Sequence, residues 1–348
     1  GGIDLFKSTN SGSSWNQLSY WHIYYGTPEV HADQHAIVFR SGSSSDVIFG
    51  NDGGIFYSGN ANTGSPSFTN RNLNYNVTQF YACAMHPSSG TDYYLAGSQD
   101  NGSQQFNNSG MNSTIEVTGG DGAFCFIDQD NPTYQITSYV YNSYRRSVNS
   151  GASFSPIQDD QNTGKFINPC DYDNSQDILY SSRTDNTIQR INNISGTISI
   201  DHFTVTGMVN MASHIRVSEY TTGSSTLFVG TGAGDIFKIT NANTGSPISV
   251  QISNGMPAGN ISCIEIGADE NELIATMSNF GITSVWHTTN GGASWTKKGG
   301  NLPDMPIRWA LFNPNNRNEV ILATDLGIWG CTDFNSSLSP QAPKRLPQ

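Results

Sequence analysis

Positively charged side chains are scarce in this sequence. Sixteen Lys and Arg stand against 28 Asp and Glu in 348 residues, charged residues make up only 13%, and the formal net charge is −12 at pH 7. A surface of that sign repels phosphate, which excludes nucleic acid as a partner. With so few ion pairs available, stability has to come from packing and backbone hydrogen bonding. Long apolar runs are also missing. No stretch approaches the roughly 18 to 20 residues that cross a bilayer as a helix, so no membrane span is expected. Five cysteines cannot all pair with one another. Cys83, Cys125 and Cys170 each precede a polar turn position by the same interval and Cys263 matches them. They read as small core residues on equivalent inner strands rather than as a disulfide or metal framework. A phosphate-binding glycine loop is absent, because Gly164-Lys165 lacks the upstream glycine. The chain opens on Gly1 with neither an initiating Met nor a charged-then-apolar leader, and reads as a processed or partial product with further domains of a longer chain as possible company.

What is abundant is glycine, at 36 residues, with Asn and Ser crowded between short apolar runs. That composition suits many short strands joined by tight turns. One octad recurs: Ser8, Asn10, Gly12, Trp15; then Ser147, Asn149, Gly151, Phe154; then Thr288, Asn290, Gly292, Trp295. The hydroxyl and the amide can bond the backbone of a turn, the glycine accepts a positive φ, and the aromatic returns the chain to an apolar layer. Three such turns predict an array of repeated antiparallel sheets. The octads resemble the Asp-box (BNR) repeat, with Asn in the usual place of Asp. That resemblance implies an all-β fold, a β-propeller of four-stranded blades, with the box as a structural element between the two outer strands of a blade.

The segments repeat at about 40 to 45 residues, the size of one such blade. Full blades are expected at 31–74, 77–117, 121–158, 169–207, 212–257 and 260–303, with incomplete ones at 1–20 and 307–335. The nearly identical runs 60–66 and 241–247 fix the same period. Seven blades are expected if the two incomplete ends combine, and eight if they do not. Residues 336–348, rich in Pro and Ser, read as a linker or tail.

Polar runs that a propeller does not require cluster in the first half: 31–35, 51–54, 97–102 and 119–122. They lie where strands begin or turn, near one mouth of a propeller channel, where ligands bind. The candidate ligand-binding residues are His31, Asp33, His35, Asn51, Asp52, Gln99, Asp100, Asn101 and Asp121. On a regular strand His31, Asp33 and His35 would share a face and suggest a metal ion, although alternate residues lie roughly 6.6 Å apart and a common ion would need a bend. The competing reading is hydrogen bonding between blades, and no other cofactor is expected. Asp33, Asp52, Asp100 and Asp121 are the candidate catalytic carboxylates, since glycoside cleavage needs two carboxyls about 5 to 9.5 Å apart, but Asp-Gly is also an ordinary turn sequence. Asp128, Asp130, Asp171, Asp173 and Asp269 recur after successive first strands and read as repeat features. Tyr20, Trp21, Tyr24 and Tyr25, with Tyr139, Tyr141 and Tyr144, are read either as stacking platforms for sugar rings or as packing between blades.

The runs His31 to Ala36, Gly50 to Ile55, Gln79 to Tyr81, Gln99 to Gly102 and Gly119 to Gly122 together resemble sortilin-like, Asp-box propellers of Bacteroidetes proteins secreted by the type IX system. The resemblance is good over 1–154 and rests on repeat pattern beyond that. It implies an extracellular or cell-surface location. A more distant similarity to xyloglucanase propellers implies glycan chemistry, but those enzymes work in a cleft between two propellers. The sialidase pattern is not matched, because no arginine stands in the family's Arg-Ile-Pro context. Three functions therefore follow as expectations: a module binding a glycan or extracellular protein, a glycoside hydrolase using paired aspartates, or a structural module of an extracellular assembly.

Overall fold

The computed structural model describes residues 2–348 except 74–77, 111, 222, 301, 336–343 and 346–348, and only the backbone of Lys344 and Arg345. The expected boundaries at Asn74 and Val77 and most of the 336–348 tail lie outside the described residues. Among the described residues there is no helix. The strands form one two-stranded sheet followed by seven four-stranded antiparallel sheets, each a simple meander of consecutive strands.

The first sheet is the pair Phe6–Lys7 and Asn16–Gln17. The first strands of the next seven are Gln34–Phe39, Ala82–Met85, Cys125–Ile127, Cys170–Asp173, Ala212–Val217, Ile261–Ile266 and Ile307–Asn313. The last sheet takes its fourth strand from Lys344–Arg345 in the tail, which pairs with Gly330 and Trp329. Contacts divide the chain into two compact units, residues 1–84 with 90–125 and residues 85–89 with 126–348.

In the second unit burial grades across the sheets that begin with Cys170–Asp173, Ala212–Val217 and Ile261–Ile266. Second strands such as Leu227–Thr231 and Leu273–Met277 are buried at every position, while the fourth strand Ser199–Thr204 is mostly exposed. A strand buried on both faces carries apolar residues without alternation, which is what these sequences show. Layers of side chains fill the spaces between successive sheets. Tyr180, Ile188 and Phe203 meet Ile215, Val229 and Phe237; Phe228 and Ile236 meet Ile264 and Leu273; Ile274 and Val285 meet Ala310 and Leu322. Each fully buried side chain of this size contributes about 1.5–3 kcal/mol.

All five cysteines are free thiols, and four of them lie on first strands. Cys125, Cys170 and Cys263 are buried, but Cys83 is exposed and is not a core residue. Its strand, Ala82–Met85, is exposed at Cys83 and Met85 on one face and half-buried on the other, whereas the first strands Cys125–Ile127, Cys170–Asp173 and Ile261–Ile266 have no exposed position.

The three octads close identically. In each, the hydroxyl accepts the N–H of the fifth residue at 2.8–3.1 Å and the Asn Oδ1 accepts the N–H of the seventh at 2.9–3.0 Å. Positive φ is needed at two consecutive positions, Ser11 and Gly12, Ser150 and Gly151, Gly291 and Gly292. The aromatic behaves as expected at Trp295, which packs on the core and donates to Ile252 O at 2.7 Å. Trp15 does not: it is 62% exposed.

Candidate functional site

The site is set by topology within the first unit. Asp33 precedes the first strand of the second sheet, and Asp52 sits in that sheet's turn between second and third strands. Asp100 occupies the same turn in the third sheet, and Asp121 follows that sheet's fourth strand. In an antiparallel meander the start of strand one, the turn after strand two and the end of strand four fall on one edge. Residues 88 positions apart are thereby delivered together. Asp33, Asp52 and Asp100 each place a carboxylate oxygen within 4.8 Å of the other two. Asp121 joins through Oδ1, which accepts the N–H of Asp100 at 3.0 Å.

Backbone constraints hold the carboxylates there. Asp33 and Asp100 both adopt left-handed φ, 60° and 61°, each costing on the order of 1 kcal/mol. The 97–102 and 119–122 loops are tied by Gly102 N–H to Gly120 O and Gly122 N–H to Ser98 O, both 2.8 Å. They approach so closely that a Cβ on Gly122 would lie 2.2 Å from Gly102 O. The His31 ring occupies the space above Gly53, where a Cβ would meet it at 2.3 Å, and its Nε2–H donates to Asp100 O at 2.8 Å. Asn51 accepts the Gly53 N–H at 3.1 Å. Asn101 donates to Asp52 O at 3.3 Å and to Gln99 O at 3.2 Å, and Gln99 Oε1 accepts the Tyr81 hydroxyl at 2.6 Å. Sequence reasoning passed over Tyr81 as a site residue, although it immediately precedes a first strand, Ala82–Met85, beside these turns.

One expectation is corrected. His31, Asp33 and His35 do not share a strand face, because the strand begins at Gln34 and the positive φ of Asp33 breaks the alternation. His31 engages a backbone carbonyl, whereas His35 Nε2 meets Asp52 Oδ1 at 2.5 Å. The carboxylates, not the histidines, form the cluster with ligand-like spacing.

The electrostatics are those of like charges held together. Partial burial, a hydrogen bond with Asp52 and the charges of Asp121, Asp52 and Asp33 push the Asp100 pKa up to about 6. Burial and the charges of Asp100 and Asp121 also raise the Tyr81 hydroxyl. The cluster can accept hydrogen bonds from hydroxyl or amide donors and can carry one proton near pH 6.

Elsewhere the carboxylates do local work. Asp128 caps the N–H groups of Asp130 and Asn131, Asp173 caps Gln176, and Asp269 caps Asn271. The aromatic residues separate into two groups. Trp21, Tyr24 and Tyr25 form an exposed cluster with ring centroids 5.1 and 5.3 Å apart, on a loop whose base is closed by Tyr20 N–H to Pro28 O and Val30 N–H to Tyr20 O. Tyr144 is buried, its hydroxyl on Asn142 Oδ1, and presents no platform.

No helix of the described residues is long and apolar enough to cross a membrane. No protein-family model matches the sequence, and no curated protein matches it. Among solved structures the chain is similar to YCF48 from Cyanidioschyzon merolae, with a TM-score of 0.55 and 11% identity over 85% of this chain and 94% of that one. YCF48 is a β-propeller, and at this identity the likeness shows the fold alone.

Proposed function

We propose that the chain is an exported β-propeller binding module, of the Asp-box and sortilin-like kind, at the cell surface or outside the cell. Its ligand is a glycan or the surface of an extracellular protein, held at the mouth built by Asp33, Asp52, Asp100 and Asp121 with His31, His35, Asn51, Gln99 and Asn101. The observation that carries this reading is the convergence of four carboxylates from four separate turns, three of them within 4.8 Å. Folding gains nothing from gathering like charges, so their arrangement suits acceptance of hydrogen bonds from a polyhydroxylated or amide-bearing ligand. On this reading the propeller has eight blades, one of them half built. The test is an array of polysaccharides and extracellular proteins probed with the native chain and with the Asp52→Ala, Asp100→Ala, Asp121→Ala triple variant. Loss of the retained ligand with the fold intact is expected, and unchanged retention contradicts the proposal.

A second reading, glycoside hydrolysis, draws on the raised Asp100 pKa beside an acidic neighbour, a pattern suited to a general acid. Against it, a carboxylate oxygen of Asp100 lies within 4.8 Å of one of Asp52, closer than the roughly 5 to 9.5 Å that the paired carboxyls of glycoside cleavage keep. New reducing ends in the same tubes, lost in Asp100→Ala, would favour the enzyme.

A further inference from the structure

The loop 20–30 closes on itself and leaves its aromatic rings outside. Tyr20 N–H donates to Pro28 O at 2.9 Å and Val30 N–H to Tyr20 O at 3.0 Å, and these two bonds fix its base. Its tip is a turn in which Tyr24 N–H donates to His22 Nδ1 at 3.1 Å, Tyr25 N–H to His22 O at 3.0 Å and Gly26 N–H to Ile23 O at 3.2 Å. The Tyr20 ring packs on Gly26 so closely that a Cβ there would stand 2.6 Å from it. A loop tied in this way holds its side chains in place before any ligand arrives.

The rings are exposed as a group. Tyr24 is 83% exposed, Tyr25 56% and Trp21 37%. Trp21 and Tyr25 lean face to face with centroids 5.1 Å apart and planes 35° apart, while Tyr24 stands at 90° to Tyr25 with centroids 5.3 Å apart. Among the described residues nothing pairs with the Trp21 indole N–H or with the Tyr24 and Tyr25 hydroxyls. Aromatic rings gathered on one short loop, with their polar rims free, mark an interaction surface.

Charge and size select the partner. No Lys or Arg stands between Lys7 and Arg40, so the loop brings no cation to a phosphate headgroup or an anionic polymer. Three rings bury at most about 150–250 Å² each, short of the roughly 800 Å² a side that a stable protein interface uses. An uncharged pyranose with equatorial hydroxyls meets both conditions: its faces are C–H, which stack on an aromatic ring, and its rim hydroxyls bond the indole and phenol groups. The loop also runs directly into the acidic mouth, since buried Val30 ends it and His31, the next residue, donates to Asp100 O at 2.8 Å. We infer that the Trp21, Tyr24 and Tyr25 rings are a stacking subsite for a neutral polysaccharide of equatorially substituted pyranose units, whose hydroxyls further along the polymer donate to the carboxylates of the mouth. The inference narrows the binding reading above to a glycan and rests on it for the contact with the mouth.

The probes are cellohexaose and xylohexaose, neutral chains of such units, titrated into the native chain by calorimetry. Saturable binding of at least one is expected, weakened about tenfold by Tyr24→Ala and kept within about twofold by Tyr24→Phe, which retains the ring. Tyr24 is the position to change because its side chain is the most exposed of the three, so the circular dichroism should stay unaltered. The Asp52→Ala, Asp100→Ala, Asp121→Ala triple variant separates this inference from the reading it rests on. Binding that the triple variant loses and Tyr24→Ala keeps would overturn the stacking subsite and leave the mouth standing. Binding that Tyr24→Ala weakens and the triple variant keeps would support the subsite and overturn the mouth. Binding of neither hexasaccharide would overturn the inference, and would do so in favour of a lipid surface if Tyr24-dependent binding to phosphatidylcholine vesicles appeared instead, Ile23 being 62% exposed beside the rings.

Discussion

The two units treat buried or half-buried charge in opposite ways. In the first unit, Asp33, Asp52, Asp100 and Asp121 face one another, and among the described residues no Lys or Arg pairs with them. In the second, Arg216 lies between Asp171 and Glu265 on three successive first strands, its guanidinium 3.5 Å from Glu265 and its charge drawing Asp171 back toward ionisation. Asp171 Oδ2 also accepts the Val217 N–H at 2.7 Å. Burial nonetheless raises both acids, Glu265 to about 6, and it lowers the buried His214 to about 3, so that ring is neutral. Opposite charges interleaved between sheets are part of packing. Like charges gathered at turn tips cost the fold something, and that cost marks the site.

Breaking the second unit's arrangement has the largest expected effect. Arg216→Met removes the cation from between two acids and should cost about 2–3 kcal/mol, below the value for a fully buried pair because the side chain is 32% exposed. Denaturant unfolding should show it as a lower midpoint, and an unchanged midpoint would mean that the ladder is not structural. A smaller loss, about 1 kcal/mol, is expected for Asn290→Ala, since Oδ1 accepts the Ser294 N–H and Nδ2 reaches Ser294 Oγ. Asn10→Ala, whose turn is exposed in a half-built sheet, should cost less, and a larger loss there would reverse the ranking.

How far all this was legible in the sequence differs between the units as well. The octads specify turn chemistry locally, so strand positions followed from Ser147 to Phe154 and Thr288 to Trp295 without tertiary information. The acidic runs were legible as a group, because start-of-strand and turn positions fall on one edge of every sheet. Their internal geometry was not. The positive φ of Asp33 breaks the alternation that a strand from His31 would have had, and a period-two pattern carries no sign of it. The exposure of Cys83, Trp15, Ile37 and Phe39 was hidden for a related reason: pattern tells which face a residue occupies, not whether anything covers that face.

The central claim is that the acidic cluster is held against the preference of the fold, and Asp100→Asn tests it most directly. Asn tolerates the left-handed backbone and keeps a donor toward Asp52. A carboxyl whose folded pKa is raised to about 6 contributes stability that is complete below the ordinary carboxylate range and is lost as pH rises through 6. Thermal unfolding of the variant at pH 7.5 should therefore show a midpoint slightly above the native chain's, with the difference vanishing near pH 4, while ligand retention falls. A midpoint lowered at pH 7.5 with retention unchanged would contradict the account.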